Sequence, residues 1–198
     1  NGWLVMRWVE LLVEHYAGAE LHDDMNSFTE SWNNDAVVQA LTKYKEWVDA
    51  GYFPEGFLTA DPNDTIMSFG SGQCAMDIQG QWYDGQLIQN GLDVNNYGVF
   101  PFPSGGDNRM SAFAEMTQFN VNLTEEELDA CVRFMDYYYS DENVAQYGEY
   151  YNLPLPKEGA TAPEEQVNVD AMIEASNTNG TFTITDQAFP TEVADVLF

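Results

Sequence analysis

Apolar positions recur at helical spacing from the start of the chain. Leu4, Trp8, Leu11 and Leu12 fall on one stripe within residues 3–16. Gly18 follows as the expected stop. Residues 20–34 are polar and read as a loop. The pattern resumes at Asp35, where Val37, Val38, Leu41, Tyr44, Trp47 and Val48 predict a helix to about Ala50, ended by Gly51. Asp61 and Pro62 are an N-cap and first-turn pair for a short helix that ends at Gly70 or Gly72.

The period then changes. Cys74, Met76 and Ile78 alternate, which predicts a short strand with those three side chains on its buried face. Trp82 to Asn90 predicts a helix with Gly91 just past its end. "NYGVFPF" reads as a second strand broken by Pro101 and Pro103, "SGGDN" as a turn and "MSAFAEMTQFNV" as strand in part. Thr124 and Glu127 form a capping box ahead of a helix with Leu128, Cys131, Val132, Met135, Tyr138 and Tyr139 on one stripe. "SDEN" restarts a shorter helix, "NLPLPKEGATAP" is an extended connection, Pro163 opens a helix to about Ser176, and "TFTIT" alternates as a strand. Helices and short strands alternate, so the class is α/β or α+β, with a small sheet flanked by several helices.

Composition narrows the partners. The 198 residues include 33 acidic and six basic ones, a formal net charge of −27. The cations Arg7, Lys43, Lys45, Arg109, Arg133 and Lys157 are scattered, which argues against nucleic acid and against an anionic membrane surface. The acidity reads as a solubility device; no D-x-D-x-D-G loop supports calcium. Cys74 and Cys131 read as buried free thiols, with a disulfide as the alternative. His15 and His22 form no metal pattern and read as ordinary surface or boundary residues. No metal or cofactor is implied.

No apolar run reaches the roughly 18 residues that span a bilayer. The opening "NGWLVMRWVELLVEHY" is helical in character rather than a signal peptide, and "TEVADVLF" ends as a helix still running. A fragment of a longer chain is the expectation, with any targeting signal outside it.

Residues 70–87, "GSGQCAMDIQGQWYDGQL", concentrate the chemistry. Gly70 and Gly72 permit a sharp reversal, and Gly80 permits a tight turn into the next helix. Trp82 then stands at a strand-to-helix junction, where α/β folds open their clefts. Its ring is either core or a stacking platform.

Phe69, Gly72, Ala75, Met76, Gly80 and Trp82 match an F-x-x-G-x-x-A-M-x-x-x-G-x-W pattern. The stretch resembles the extracellular solute-binding proteins of bacterial ABC sugar importers, in the maltose-binding-like group. Upstream, "DAVVQALTKYKEWVDAGYFPEG" is similar to that family's helix and "GY-x-P" turn. Downstream, "YGVFPFPSGG" and "TEEELDACVRFMDYYYSDENVAQY" resemble two further blocks, in the family's order, over roughly residues 33–150. Cys74 stands where the family often has a small residue.

The resemblance implies a periplasmic-binding-protein-like (type II) C-terminal lobe spanning residues 1–198, with the N-terminal lobe, half of the cleft and the lipoprotein signal outside the chain. It implies a non-enzymatic monomer, periplasmic or anchored outside the cell, that hands a carbohydrate to ABC permease subunits in the membrane. An aromatic ring would stack on the sugar's C–H face while carboxylates and amides bind its hydroxyls. Trp82 is the first expected ligand contact. Phe113 and Glu115 follow, as a second stacking surface and a hydroxyl acceptor. Trp3, near the family's hinge crossing, is the fourth, with packing beneath its own helix as the alternative. A peptide-binding or interaction domain, and a glycoside hydrolase working through paired carboxylates, stand as the other readings.

Overall fold

In the computed structural model the fold mixes helix and strand and is mostly helical. It describes residues 2–114, 116–147 and 162–194, and for residues 2, 3, 62 and 63 the backbone only. The helices are α1 (Gly2–Asn26), α2 (Asp35–Asp49), α3 (Pro62–Gly70), α4 (Tyr83–Gln89), α5 (Glu125–Tyr138), α6 (Asp141–Tyr147), α7 (Val169–Asn179), α8 (Thr185–Ala188) and α9 (Thr191–Ala194). Strands β1 (Met110–Ala112) and β2 (Thr181–Thr183) pair in parallel, with Met110 opposite Thr181 and Ala112 opposite Thr183. The chain divides into unit 1 (Asn1–Gly80, Gly98–Phe113, Ala171–Phe198) and unit 2 (Gln81–Tyr97, Ala114–Asp170).

Unit 1 is built on α1 and α2. Leu12, Val13, Met25 and Ala40 form its sealed centre, with Tyr16, Trp32, Val37, Tyr44, Trp47 and Phe102 packed around them. Trp8 meets Trp47, Phe53 and Phe102 edge-on, with centroids 5.9, 5.8 and 6.4 Å away, a favoured geometry for ring quadrupoles. Helix α2 starts at Asp35 and Gly51 follows it in the left-handed conformation, as the sequence indicates, and Asn34 caps it by accepting from the backbone N–H groups of Ala36 and Val37.

The expected stop at Gly18 is a break rather than an end. Gly18 has φ 73° and ψ 170°, yet the helix resumes and runs to Asn26. Residues 20–26, read as loop, are helical because their polar side chains have distant partners. Arg109 donates to Glu14 ahead of the break (2.8 and 3.0 Å), and to the Ala19 carbonyl (3.3 Å) and the Asp23 carboxylate (2.8 and 3.1 Å) beyond it. The guanidinium fork thereby staples both halves. His22 is a second correction: it is fully buried, with Nδ1 2.7 Å from Glu14 Oε2 and its ring against Phe182. His15 is exposed, and its Nδ1 donates to the Ser104 carbonyl at 2.6 Å.

The two strands expected at "CAMDI" and "NYGVFPF" are absent; both segments are extended coil apart from a 3-10 turn at Val94–Asn96. Alternation marks extended backbone, but a strand also needs a neighbour to take its N–H and C=O groups. Here Ile78 N–H goes to the Asp77 carboxylate at 2.9 Å instead, and Pro101 and Pro103 have no N–H to give. Met76, expected in a buried face, is 66% exposed, and Cys74 and Ile78 are half-buried. Strand in "MSAFAEM" and "TFTIT" is present as β1 and β2. The helix expected from Pro163 begins at Val169, after turns. Most of "NLPLPKEGATAP" and the end of "TEVADVLF" lie outside the described residues.

Unit 2 carries α4, α5 and α6. It buries Tyr83, Leu87, Val94 and Val169 together with Asp84, Asn143, Gln166 and Asn168. No residue of α5 is buried, so its apolar stripe is not sealed as its spacing suggests. Cys131 on that stripe is half-buried, and Cys74 and Cys131 are both free thiols.

Candidate functional site

The Gly80–Trp82 turn is the place to build from. Residues 81–82 form a turn, and Trp82 occupies the N-cap position of α4 with φ −75° and ψ −14°. Its carbonyl accepts from Gln86 N–H at 3.2 Å, which starts the helix. The indole is half-buried, whereas the next two residues, Tyr83 and Asp84, are sealed. A half-buried ring has one part fixed by packing and another within reach of solvent, the condition for a stacking platform.

What fixes the turn is a pair that sequence reading did not single out. Both carboxylate oxygens of Asp84 accept from Asn168: Oδ2 from the backbone N–H at 2.7 Å, Oδ1 from the side-chain amide at 2.9 Å. Asp84 is 2% exposed and Asn168 is 7% exposed. Asp84 also lies in the first turn of α4, where the helix dipole favours a negative charge. A buried charge needs such complete pairing, and the pairing holds the residue two positions after Trp82. No local signal links positions 84 and 168; a polar residue in a helix's first turn is ordinarily solvated.

Phe113 belongs to unit 1. It follows β1 directly and is 39% exposed. Its approach is set by two hydrogen bonds: Ile184 N–H to the Ala112 carbonyl at 3.1 Å and Met110 N–H to the Gly180 carbonyl at 3.1 Å. Further upstream the Ser104–Gly105 turn is held against α1 by His15. Gly105 has φ 80°, which favours glycine, and a Cβ there would only touch the His15 ring at 3.4 Å. Glu115 lies outside the described residues. Trp3 falls in the first turn of α1, and its side chain is likewise outside them. Trp82 and Phe113 are therefore each placed within their own unit.

The electrostatic centre of unit 1 is the other cluster missed from sequence. Burial pushes the Glu14 carboxyl up, but hydrogen bonds from His22 and Arg109, with the positive charge of Arg109, outweigh it and hold its pKa down to about 2. The same Glu14 hydrogen bond raises Arg109 above its already high value. Arg7 makes a second junction, donating to Glu10 and Asp186 at 2.6 Å each, while Glu10 accepts from the Thr185 hydroxyl at 2.6 Å and from its N–H. These groups satisfy one another, so they read as scaffold rather than as recognition groups. Among the described residues, no three His, Cys, Asp or Glu side chains gather as a metal site, and no helix is long and apolar enough to cross a membrane.

A family model described as bacterial extracellular solute-binding protein matches residues 1–175. Neither the curated proteins nor the solved structures contain a significant match.

Proposed function

We propose that this chain, which belongs to the bacterial extracellular solute-binding protein family, is the C-terminal lobe of a receptor that binds a carbohydrate for ABC-transporter uptake. The family supports an extracellular or periplasmic protein that takes a small solute and delivers it to permease subunits. The finer reading, a sugar held by a type II lobe, rests on Trp82. Its half-buried indole stands on a turn pinned by Asp84 and Asn168, and an aromatic face suits the C–H side of a pyranose. Phe113 and Glu115 are the accompanying contacts, supported by their place after the "FPFPSGG" segment, and Trp3 is a weaker one that rests on the family's hinge crossing. A lipid anchor on the whole receptor and a monomeric state complete the reading.

Titration calorimetry of the full-length receptor against oligosaccharides, with peptides as the competing class, tests it. Trp82→Ala is expected to weaken sugar binding by about 1–3 kcal/mol while leaving the melting temperature nearly unchanged. Binding of peptides and no sugar would overturn the carbohydrate reading. A destabilised variant whose folded fraction binds normally would return Trp82 to the core.

A further inference from the structure

Helix α5 is apolar over more of its circumference than packing against one core requires. A helix laid on a single core needs a stripe of about 100°. At 100° per residue, the apolar positions of α5 run from Val132 through Leu128, Met135, Cys131 and Phe134 to Tyr137, about 220° in all, interrupted only by Glu127, whose carboxylate is turned back onto Thr124. The half-buried residues Cys131 and Met135 sit mid-arc, and the exposure rises toward the flank, to 59% at Phe134 and 65% at Tyr137. Those two, with Ala130, follow a 130–134–137 spacing that puts them on one face.

The same face is rimmed with carboxylates. Glu126 adjoins it from the first turn, Arg133 lies one turn before Tyr137 on the same flank, and Asp141 follows the Tyr139–Ser140 break at the start of α6. Arg133, the helix's one basic residue, is paired with Asp129 at 3.0 Å. The platform is held in place: Asn143, itself buried, donates to the Tyr137 carbonyl at 2.6 Å and so ties α6 to the end of α5.

We propose that the Ala130–Phe134–Tyr137 face of α5 docks a protein partner that presents lysine or arginine among aliphatic side chains. Aromatic rings accept the stems and the cationic heads of such residues, and the rim carboxylates accept their N–H groups. The charge pattern selects this occupant over the alternatives. A second copy would bring its own carboxylates against these, in a chain of net charge −27. Nucleic acid and anionic lipid carry the wrong sign.

The full chain is titrated with a fluorescently labelled amphipathic helical peptide of leucine and lysine, and with its leucine–glutamate counterpart, at low and high salt. The lysine peptide is expected to bind and the glutamate peptide to fail. The double variant Phe134→Ser, Tyr137→Ser is expected to lose about tenfold or more in affinity for the lysine peptide. Val38→Ser, at a position on α2 that is 58% exposed, is expected to bind as the parent does. Equal binding by the parent and the double variant would overturn the proposal, because attraction would then be to the acidic surface at large. Binding of the glutamate peptide would overturn the choice of partner. A concentration-dependent dimer in sedimentation, abolished by the double variant, would also overturn it and give the face to a second copy. Should the double variant fail to fold, Glu126→Gln with Asp141→Asn tests the rim, and unchanged affinity there would overturn the proposal equally.

Discussion

Unit 1 encloses Leu12, Val13, Met25, Ala40, Phe182 and Ile184 and threads a paired charge, Glu14 with Arg109, along the edge of that enclosure. Unit 2 buries Asp84, Asn143, Gln166 and Asn168 beside a short apolar set, Tyr83, Leu87, Val94 and Val169. It leaves Met116, Val121, Phe134 and Tyr137 more than half exposed. Both units bury paired polar groups, Glu10 with Thr185 and Glu14 with His22 in unit 1 among them, but unit 1 encloses the larger apolar set. In unit 1, area removed from water dominates, at about 25 cal/mol per Å². In unit 2, directional bonds such as the Asp84–Asn168 clasp stand where apolar packing would otherwise be, and each contributes only about 1.5–3 kcal/mol when a charge is involved. Exposure does not separate the units, since Tyr52, Met76 and Phe100 of unit 1 are as exposed as Phe134 and Tyr137 of unit 2. What separates them is the larger share of polar groups in the buried set of unit 2, which also carries the Trp82 turn and α5.

The largest effect is expected from Arg109→Met. It leaves Glu14 buried with half of its compensation removed, a change that costs about 3–5 kcal/mol at buried pairs. Hydrogen exchange should show the loss along α1, beginning at Gly18. An equal loss in α4 and α5 would break the contrast, since the units would then unfold as one. The same pair predicts an acid limb. The folded pKa of Glu14, about 2 against an ordinary value of 4.5, lies below the unfolded one. Its stabilisation is therefore complete above pH 4.5 and is lost as pH falls toward 2, by about 3 kcal/mol. Urea titrations across that window should show a shallower decline for Glu14→Gln than for the parent. Parallel curves would mean that Glu14 is not the group responsible.

Asp84→Asn ranks next. The new amide retains one acceptor and turns an N–H₂ toward the donors of Asn168, which costs about 1.5–3 kcal/mol. Exchange should accelerate in α4 and at Val169 while α1 keeps its protection. Loss of protection in α1 as well would show that the clasp supports both units, and the division of forces drawn above would fail.

Much of this was legible in the sequence. The capping box at Thr124, the Asp35 start and Gly51 end of α2 and the helix entered through Trp82 all rest on neighbours within four residues, and local signals describe local structure well. The break in α1 that is not an end, the burial of His22 and the Asp84 clasp were not legible. Each depends on a partner some 80 or more residues away, Arg109 for α1 and Asn168 for Asp84, and no periodicity encodes that. The two missing strands fail for the same reason in reverse: alternation was present, but the pairing partner it requires was not. Of the expected ligand contacts, Trp82 and Phe113 have described side chains, and motif order supplied both where composition could not.

The smallest effect, and the one that sharpens the contrast most finely, is Thr124→Ala. Thr124 Oγ1 accepts from Glu127 N–H at 3.3 Å, and the Glu127 carboxylate accepts from the Thr124 N–H and hydroxyl at 2.8 Å each. Those bonds hold the Glu127 carboxyl below its ordinary value. Loss of such a cap costs about 1 kcal/mol. In a helix sealed into a core that sum would be shared with the whole domain. Helix α5 has no buried residue, so its first turn depends on the cap and on the dipole's attraction for Glu125, Glu126 and Glu127. The expected result is therefore fraying: faster exchange over the first turn of α5, with the midpoint of global unfolding nearly unmoved and Thr124→Ser restoring protection. The cap should also weaken as pH falls through the depressed Glu127 pKa, because protonation removes the charge that strengthens the bonds from Thr124. A full 1 kcal/mol shift in the global midpoint would show instead that α5 is part of a cooperative core, and its outward face would then be packing surface rather than a place for a partner.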